Sequence, residues 1–477
     1  MNTPGSPNSV SPNPAPTILR LHAAAAADHE REWPHPVTLV FELTSAGDHA
    51  PVRARSARLL SIGHRALFPA EPAPGETDLD LGDTALIPGL VNAHAHLDLT
   101  HVGPQPHDPA DGFMAWAQRI IKARATEPEA VEASVRSGVA KSIAGGTVAL
   151  GDIDGSQGEA TAHRADLPGV SYLECFGFQE LPTAPPKPPS NGGPDVVGGL
   201  SPHAPYSVSM TQYGAIAGSG GMDGPLLCTH LAESPEEREF ILHARGPMRG
   251  FLERIGKWYD RATLELQQGK PPLIWAQPIL AAGPAGPGKG RWLVAHVNDC
   301  PEGGIEVLRR NSVHVAYCPR ASEYFGAQEH FGPHRYRDML DAGVNVCLGT
   351  DSIVNLDTPD RISVLDEMRL LHRRDGAEGR ADPERLFAMG TVNGAEALWL
   401  DPDGFRFKVG AALAGVIGVP LGESTRESEI AGVRERVLDS QAAPIPVLLA
   451  PPTHEERPTV PRRPGPPGRT NSGARTT

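Results

Sequence analysis

The sequence predicts a (β/α)8 barrel of the TIM type carrying a small, partly degenerate β-domain, and three observations predict it. Eight apolar runs of strand length recur between residues 86 and 352. They are continuous rather than alternating, as expected of parallel strands buried on both faces. Several of them end in a chemically useful polar side chain, and barrel enzymes build their sites at the C-terminal ends of the strands.

In order, the runs are Leu86–Leu97, Thr147–Ile153, Gly169–Cys175, Val196–His203, Leu226–Glu233, Trp292–Val297, Ser312–Cys318 and Val344–Ser352. Their ends carry His94 and His96, Asp152, His203, His230 and Glu233, His296, and Asp351. One such residue would be an ordinary hydrogen-bonded core group, but packing does not explain so many. Helices are expected between the runs at Glu127–Ala144, Pro235–His243, Glu302–Arg310, Arg335–Ala342, Arg361–His372 and Pro383–Leu400. Asp382-Pro383 reads as an N-cap followed by proline at the first helical position. An alternation of this kind is the signature of a parallel barrel.

The barrel is expected to span residues 84–400. Residues 17–83 hold weaker strand candidates, such as Val37–Leu43 and Ala57–Ile62, and read as the N-terminal part of the small β-domain; residues 401–449 read as its C-terminal return. Residues 1–16 and 450–477 read as disordered. The stretches Thr183–Asp195 and Ala282–Gly290 are rich in Gly and Pro and read as loops.

The chain has 477 residues and a net charge of −14. At ~150 residues per domain that is room for three domains, although a barrel alone uses ~250. The acidic balance argues against nucleic acid as a partner. Arg462, Arg463 and Arg469 form a short basic tail of the kind that is simply solvated. There is no basic-then-apolar leader and no apolar run long enough for a membrane span. Five cysteines without regular spacing, four of them in or beside apolar runs, read as reduced thiols. A cytoplasmic location follows as the expectation.

The strongest chemical signal is Pro88-Gly-Leu-Val-Asn-Ala-His94-Ala-His96-Leu-Asp98. Histidines at i and i+2 on a strand share a face. Both imidazoles then reach one ion at ~2.1 Å. A lone pair of this kind would be weak evidence, but here it ends an apolar run and has company. Leu226-Leu-Cys-Thr-His230-Leu-Ala-Glu233 supplies a third imidazole, with Glu233 placed to serve a bound water without ligating the metal. Val346-Cys-Leu-Gly-Thr-Asp351-Ser352 supplies a carboxylate, for which a helix N-cap is the plainer alternative. Mixed imidazole and carboxylate ligation suits Zn²⁺ or Fe²⁺.

On these motifs, residues 84–400 resemble the amidohydrolase superfamily, in particular its cytosine deaminase-like and chlorohydrolase-like branch. The resemblance implies one divalent metal, Zn²⁺ first and Fe²⁺ second, held by His94, His96, His230 and Asp351. It implies that Glu233 shuttles a proton to the substrate. It further implies that His296, in Leu293-Val-Ala-His296-Val-Asn, orients the attacking water, and that His203, in Ser201-Pro-His203-Ala-Pro-Tyr206, contacts the substrate. Physical reasoning agrees: a bound divalent ion brings the pKa of its water towards ~7. Protonation of a ring nitrogen then falls to Glu233. Asp351 touches both metal and water and can pass a proton to the leaving group. Two-metal relatives bridge their ions with a carboxylated Lys or a Glu after the fourth strand. Here that strand ends in Ser201-Pro-His203, so one metal is expected.

Phe113-Met-Ala-Trp116 is similar to a motif of aminodeoxyfutalosine deaminases and their neighbours, close to methylthioadenosine/S-adenosylhomocysteine deaminases. Trp116 either covers a purine ring or packs a helix on the barrel. Two stretches depart from the relatives. Arg320 is followed by Ala321-Ser322 where a Ser-His or Ser-Asn pair is usual, and the return strand reads Val409-Gly-Ala-Ala-Leu-Ala-Gly in place of Gly-x-x-Ala-Asp-Leu. Arg320 either binds a substrate carboxylate through two parallel bonds or is a loop residue paired with Glu323.

The expected function is hydrolytic deamination of an amino-heterocycle, such as a purine nucleoside derivative. Triazine dechlorination or cyclic-amide hydrolysis on the same residues is the alternative, and a non-catalytic binding barrel is a third. The expected partner is a small heterocyclic substrate, with neither nucleic acid nor membrane; a homodimer is compatible with all of this.

Overall fold

A computed structural model describes residues 17–44, 47, 51–156, 167–176, 195–218, 224–256, 258, 268–281, 290, 292–380, 382–422 and 432–452. The disordered stretches expected at 1–16 and 450–477 lie outside these residues, except for 450–452. The loops expected at 183–195 and 282–290 also lie outside them, apart from Asp195 and Gly290.

Eight parallel strands form one sheet in sequence order: β1 (Leu90–Ala95), β2 (Thr147–Asp154), β3 (Gly169–Cys175), β4 (Val196–Pro202), β5 (Leu226–Leu231), β6 (Trp292–His296), β7 (His314–Tyr317) and β8 (Val346–Leu348). A parallel bridge between Ala95 and Asp351 closes the sheet on itself. The amides of Thr350 and Asp351 both donate to the His94 carbonyl at 3.0 Å, and Asn92 Nδ2 donates across the seam to Thr350 Oγ1 at 2.8 Å. The (β/α)8 barrel is therefore as expected, and its closure joins the first and last ligand motifs.

The run at residues 86–97 divides. Thr84–Pro88 joins a separate six-stranded sheet, and β1 begins only after Gly89. A Cβ on Gly89 would meet the Val148 side chain at 2.5 Å, so the chain turns where only glycine fits. The same six-stranded sheet takes in Gly415–Pro420, antiparallel to Thr84–Pro88, and Ile445–Leu449. A return strand thus forms without the usual motif, because Val416, Ile417 and Val419 are fully buried in it. Thr17–Ala23, Val37–Thr44, Ser56–His64 and Glu76–Asp80 make a further four-stranded sheet, which shares an apolar core with the six-stranded one through Leu86, Val416 and Leu448.

Five helices matter for the site: α1 (Phe113–Ala123), α2 (Pro128–Ala144), α3 (Pro235–His243), α4 (Pro247–Arg254) and α5 (Val364–Ala377). The expected Pro383–Leu400 helix breaks in two at Thr391, whose φ and ψ of −133° and −96° are not helical. Its start is as expected, with the Asp382 side chain accepting from the Arg385 amide. Among the described residues no helix is long and apolar enough to cross a membrane.

Candidate active site

The C-terminal end of the barrel gathers the polar groups. His94 on β1 and His96, the residue just after it, both face inward; His230 sits on β5, and Asp351 follows β8 across the seam. The ligand atoms of His94, His96 and His230 lie within 4.8 Å of one another. Asp351 Oδ1 is 3.2 Å from His96 Nε2 and 3.9 Å from His94 Nε2. Its other oxygen, Oδ2, accepts from Asn355 Nδ2 at 2.6 Å, which aims Oδ1 at the histidines.

The chemistry of this set fits a cation. His230 Nδ1 donates to the His203 carbonyl at 3.0 Å, so its Nε2 presents a lone pair, 3.3 Å from His96 Nε2. Two imidazole nitrogens facing each other at that distance do not satisfy a cluster of buried acceptors. His94 Nε2 is buried without a hydrogen-bond partner. Burial, reinforced by His230 and His96, holds His94 well below the usual histidine range, which keeps it a neutral donor of its lone pair. Burial would raise the Asp351 carboxyl, but its bond to His96 and the surrounding imidazoles hold it far below the carboxylate range.

Beyond the histidines lies a second group, Glu233, His296 and Asp351, with ligand atoms again within 4.8 Å. His296 Nε2 is 3.5 Å from Glu233 Oε1 and has no hydrogen-bond partner. Burial lowers His296 to about 3, so it is neutral. Glu233 behaves oppositely: burial, then the Asp351 and Glu237 carboxylates, push it well above the carboxylate range. Backbone strain supports the arrangement. Ala232, His296, Val297 and Asp351, all at strand ends, have φ between 54° and 74°. Such conformations cost about 1–3 kcal/mol each and concentrate at functional sites.

Two supports were not foreseen from the sequence. Glu237 on α3 accepts from the amides of Ala232 at 3.0 Å and Glu233 at 2.8 Å, and its own amide donates to Ser234 Oγ. Ser234-Pro-Glu-Glu237 is a capping-box pattern, and that signal could have found it. Asn298 Nδ2 holds the Glu233 carbonyl at 3.0 Å and is itself held by Ser322 Oγ at 3.0 Å. Ser322, read from the sequence as a departure, thus steadies the turn that carries Glu233.

A cavity of about 920 Å³ opens above these groups, lined by His96, His203, His230, Glu233, Asp351 and Trp116 among others. Trp116 is half-buried on α1, 4.8 Å edge-on to Phe325 and 5.5 Å from Phe113, so it both packs and faces the cavity. His203 Nδ1 lies 2.6 Å from Ser207 Oγ. Glu174 and Arg124, which the sequence reading passed over, line the same wall. A single Glu in the apolar run Gly169–Cys175 was the available signal.

Arg320 is elsewhere. It does not line the cavity; its guanidinium is committed to Glu367 at 2.6 Å, Asp357 at 3.2 Å, Thr358 at 3.0 Å and the Ser363 carbonyl at 3.1 Å. The carboxylate-binding reading of Arg320 is therefore corrected. Nor is Glu323 its partner, for that residue faces Arg374 at 3.7 Å. Asp152 takes a local bond, accepting from the Leu97 amide at 3.0 Å.

Comparison with known proteins agrees with this geometry. Residues 191–412 match the amidohydrolase family. A 5-methylthioadenosine/S-adenosylhomocysteine deaminase from Nitratidesulfovibrio vulgaris is 26% identical over 357 residues, covering 71% of this chain and 72% of that one. An aminofutalosine deaminase from Helicobacter pylori shares the fold, with a TM-score of 0.61, 16% identity, and coverage of 89% of this chain and 97% of the other. A mutant atrazine chlorohydrolase from Arthrobacter aurescens, complexed with zinc and atraton, shares it with a TM-score of 0.63, 17% identity, and coverage of 92% and 96%. The family match over residues 191–412, these relatives and a barrel whose seam joins its histidine and aspartate motifs make the chain similar to the amidohydrolase family.

Proposed function

We propose that the chain is a metal-dependent hydrolytic deaminase of an amino-heterocycle, with a purine nucleoside derivative as substrate. The observation that carries this is the pairing of two groups at the base of one cavity. One is the lone-pair cluster of His94, His96 and His230 with Asp351, and the other is the Glu233–His296 pair 3.5 Å apart. The donor set of three imidazoles and a carboxylate supports a single Zn²⁺, with Fe²⁺ as the other candidate.

When bound, the ion supplies Lewis acidity that makes water a nucleophile near neutral pH. The remaining work belongs to side chains. Asp351 Oδ1, kept ionised, accepts the proton of the attacking water and passes it to the leaving amine. Neutral His296 orients that water through Nε2. Protonated Glu233 delivers its proton to the ring nitrogen next to the attacked carbon, which stabilises the adduct. Trp116 offers a flat apolar face to the ring, and His203 offers a hydrogen bond from the opposite wall. Free cysteines, three of them buried (Cys228, Cys318 and Cys347), support a cytosolic setting.

The test joins elemental analysis with ammonia release across adenine, guanine and cytosine nucleosides, with a chlorotriazine included. About one zinc per chain and ammonia from a purine nucleoside are expected. Chloride release without ammonia, or a stoichiometry near two, would overturn the reading.

A further inference from the structure

The turn after β6 is held in a shape its residues resist. His296 and Val297 follow one another at φ of 74° and 54°, in the left-handed region. A β-branched residue such as Val297 rarely enters that region, because its side chain crowds the backbone. Such conformations persist only where the surroundings fix them. On one side the surroundings are β5 and its turn. The Val297 amide donates to the Leu231 carbonyl at 3.0 Å, the Asp299 amide to the Ala232 carbonyl at 3.0 Å, and Asn298 Nδ2 to the Glu233 carbonyl. On the other side is His334, between the helices Ala327–Phe331 and Tyr336–Asp341. Its Nε2 donates to the His296 carbonyl at 2.9 Å.

That bond accounts for a residue choice that packing does not. His334 is buried and lies flat on Tyr317, the last residue of β7, with ring centroids 3.7 Å apart and planes 10° apart. The Tyr317 hydroxyl accepts from Arg374 on α5 at 3.2 Å, so the platform is itself fixed. A phenylalanine would stack there equally well. Histidine instead brings a second nitrogen, Nδ1, which is buried without a hydrogen-bond partner among the described residues, and an unsatisfied buried acceptor is a cost. Burial lowers His334 to about 4, so the ring is neutral, and its one N–H is the one given to the His296 carbonyl. The backbone steadied by this bond aims the His296 imidazole, whose Nε2 stands 3.5 Å from Glu233 Oε1.

We propose that His334 is a positioning residue: through the His296 carbonyl it holds the left-handed pair His296 and Val297, and so fixes the His296 ring against Glu233. Its effect on rate rests on the role given to His296 in the proposed reaction; its effect on the backbone does not. Strain is kept in the turn because it sets the direction of the imidazole, and His334 is the donor that keeps it from relaxing.

The experiment compares variants of the zinc-loaded protein by ammonia release from adenosine, zinc content and crystal structure. His334→Phe keeps the stack on Tyr317 and removes the donor. His334→Gln gives up the stack and keeps a donating nitrogen. Val297→Gly lets the turn take its shape unaided, because glycine enters the left-handed region freely. His334→Phe should lower kcat about 10- to 100-fold, the scale of a misplacement of about 1 Å, with KM and zinc content unchanged. His334→Gln should recover most of that loss. The cost of His334→Phe should also shrink in the Val297→Gly background, since the two positions are coupled through the strain. The crystal structure of His334→Phe should show His296 outside the left-handed region and its Nε2 withdrawn from Glu233. Equal losses in His334→Phe and His334→Gln, full turnover in His334→Phe, or an unchanged turn in its crystal structure would overturn the proposal. Should His334→Phe not fold, adding Val297→Gly should restore folding, and failure to do so counts against the proposal. If the unmodified protein deaminates no nucleoside, the reaction reading falls, while the φ angles of His296 and Val297 in the variants still decide this one.

Discussion

At the scale of single residues, the site separates two carboxyl groups by environment. Asp351 is surrounded by imidazoles that hold its carboxyl far below the carboxylate range, whereas Glu233 is buried beside other carboxylates that push it well above. Divergent environments of this kind assign acid and base roles within one pocket. Glu233→Gln keeps the shape and removes the transferable proton. The expected result is full metal content with turnover reduced about 10²–10⁴-fold, the usual worth of general acid–base catalysis. Loss of metal in that variant would make Glu233 a ligand and undo the assignment. Arg320 belongs to the same scale but to another role. It is the buried partner of Glu367, whose carboxyl burial pushes up and Arg320 pulls back, to about 7. Breaking a buried pair by removing one partner typically costs about 3–5 kcal/mol. Arg320→Ala should therefore lower the denaturant midpoint while leaving KM of the folded fraction unchanged. A raised KM with normal stability would restore Arg320 to the substrate site.

At the scale of elements, the apolar runs were legible because parallel barrel strands are buried on both faces and show no polar register to confuse. The ligand motifs were legible because they stand at the ends of those runs. What stayed hidden had local causes. The division at Gly89 depends on the nearness of Val148, a tertiary contact no periodicity reports. Helix α1 starts at Phe113 behind Gly112, an N-cap with no side chain to offer, so it lacked a start signal. Arg320 was misjudged and Glu174 passed over because their partners, Glu367 for the one and Arg124 for the other, are distant in sequence and no local pattern reports them. Glu237 shows how one element serves another: α3 reaches back to hold the turn that presents Glu233. Burial raises its carboxyl from an ordinary 4.5 to about 7. The folded protein therefore binds this proton more tightly than the unfolded chain does. The associated stability is fully present below about pH 4.5 and is lost as pH rises towards 7. Glu237→Gln should remove that part of the slope in denaturation measured between pH 4.5 and 7. An identical slope in both proteins would show that Glu237 does not carry it.

At the scale of the whole molecule, the barrel closes through few contacts. β8 spans only Val346–Leu348, and its tie to β1 beyond that strand includes the Ala95–Asp351 bridge, the two amides on the His94 carbonyl, the Asn92 Nδ2–Thr350 Oγ1 bond and the Thr350 amide donating to Asn92 Oδ1 at 3.2 Å. Both banks of this seam carry the proposed ligands, His94 and His96 on one and Asp351 on the other, while His230 stands across the barrel on β5. An ion held by these four would therefore also staple the fold. A ligand that binds only the folded state stabilises it by RT ln(1 + [L]/Kd), about 4 kcal/mol at a thousandfold excess over Kd. Chelation should therefore lower Tm by several degrees, and added zinc should restore it. Loss of stability alone would not distinguish a staple from a general effect. Hydrogen exchange does, because the free energy of local opening differs from region to region. If the metal ties the seam, the amides of Thr350 and Asp351 should exchange faster after chelation, by about tenfold or more. Those of β3 and β4, which carry none of the four ligands, should change little. A uniform acceleration over all eight strands would make the ion a global stabiliser, and no acceleration at the seam would show that the hydrogen bonds between β1 and β8 close the barrel unaided.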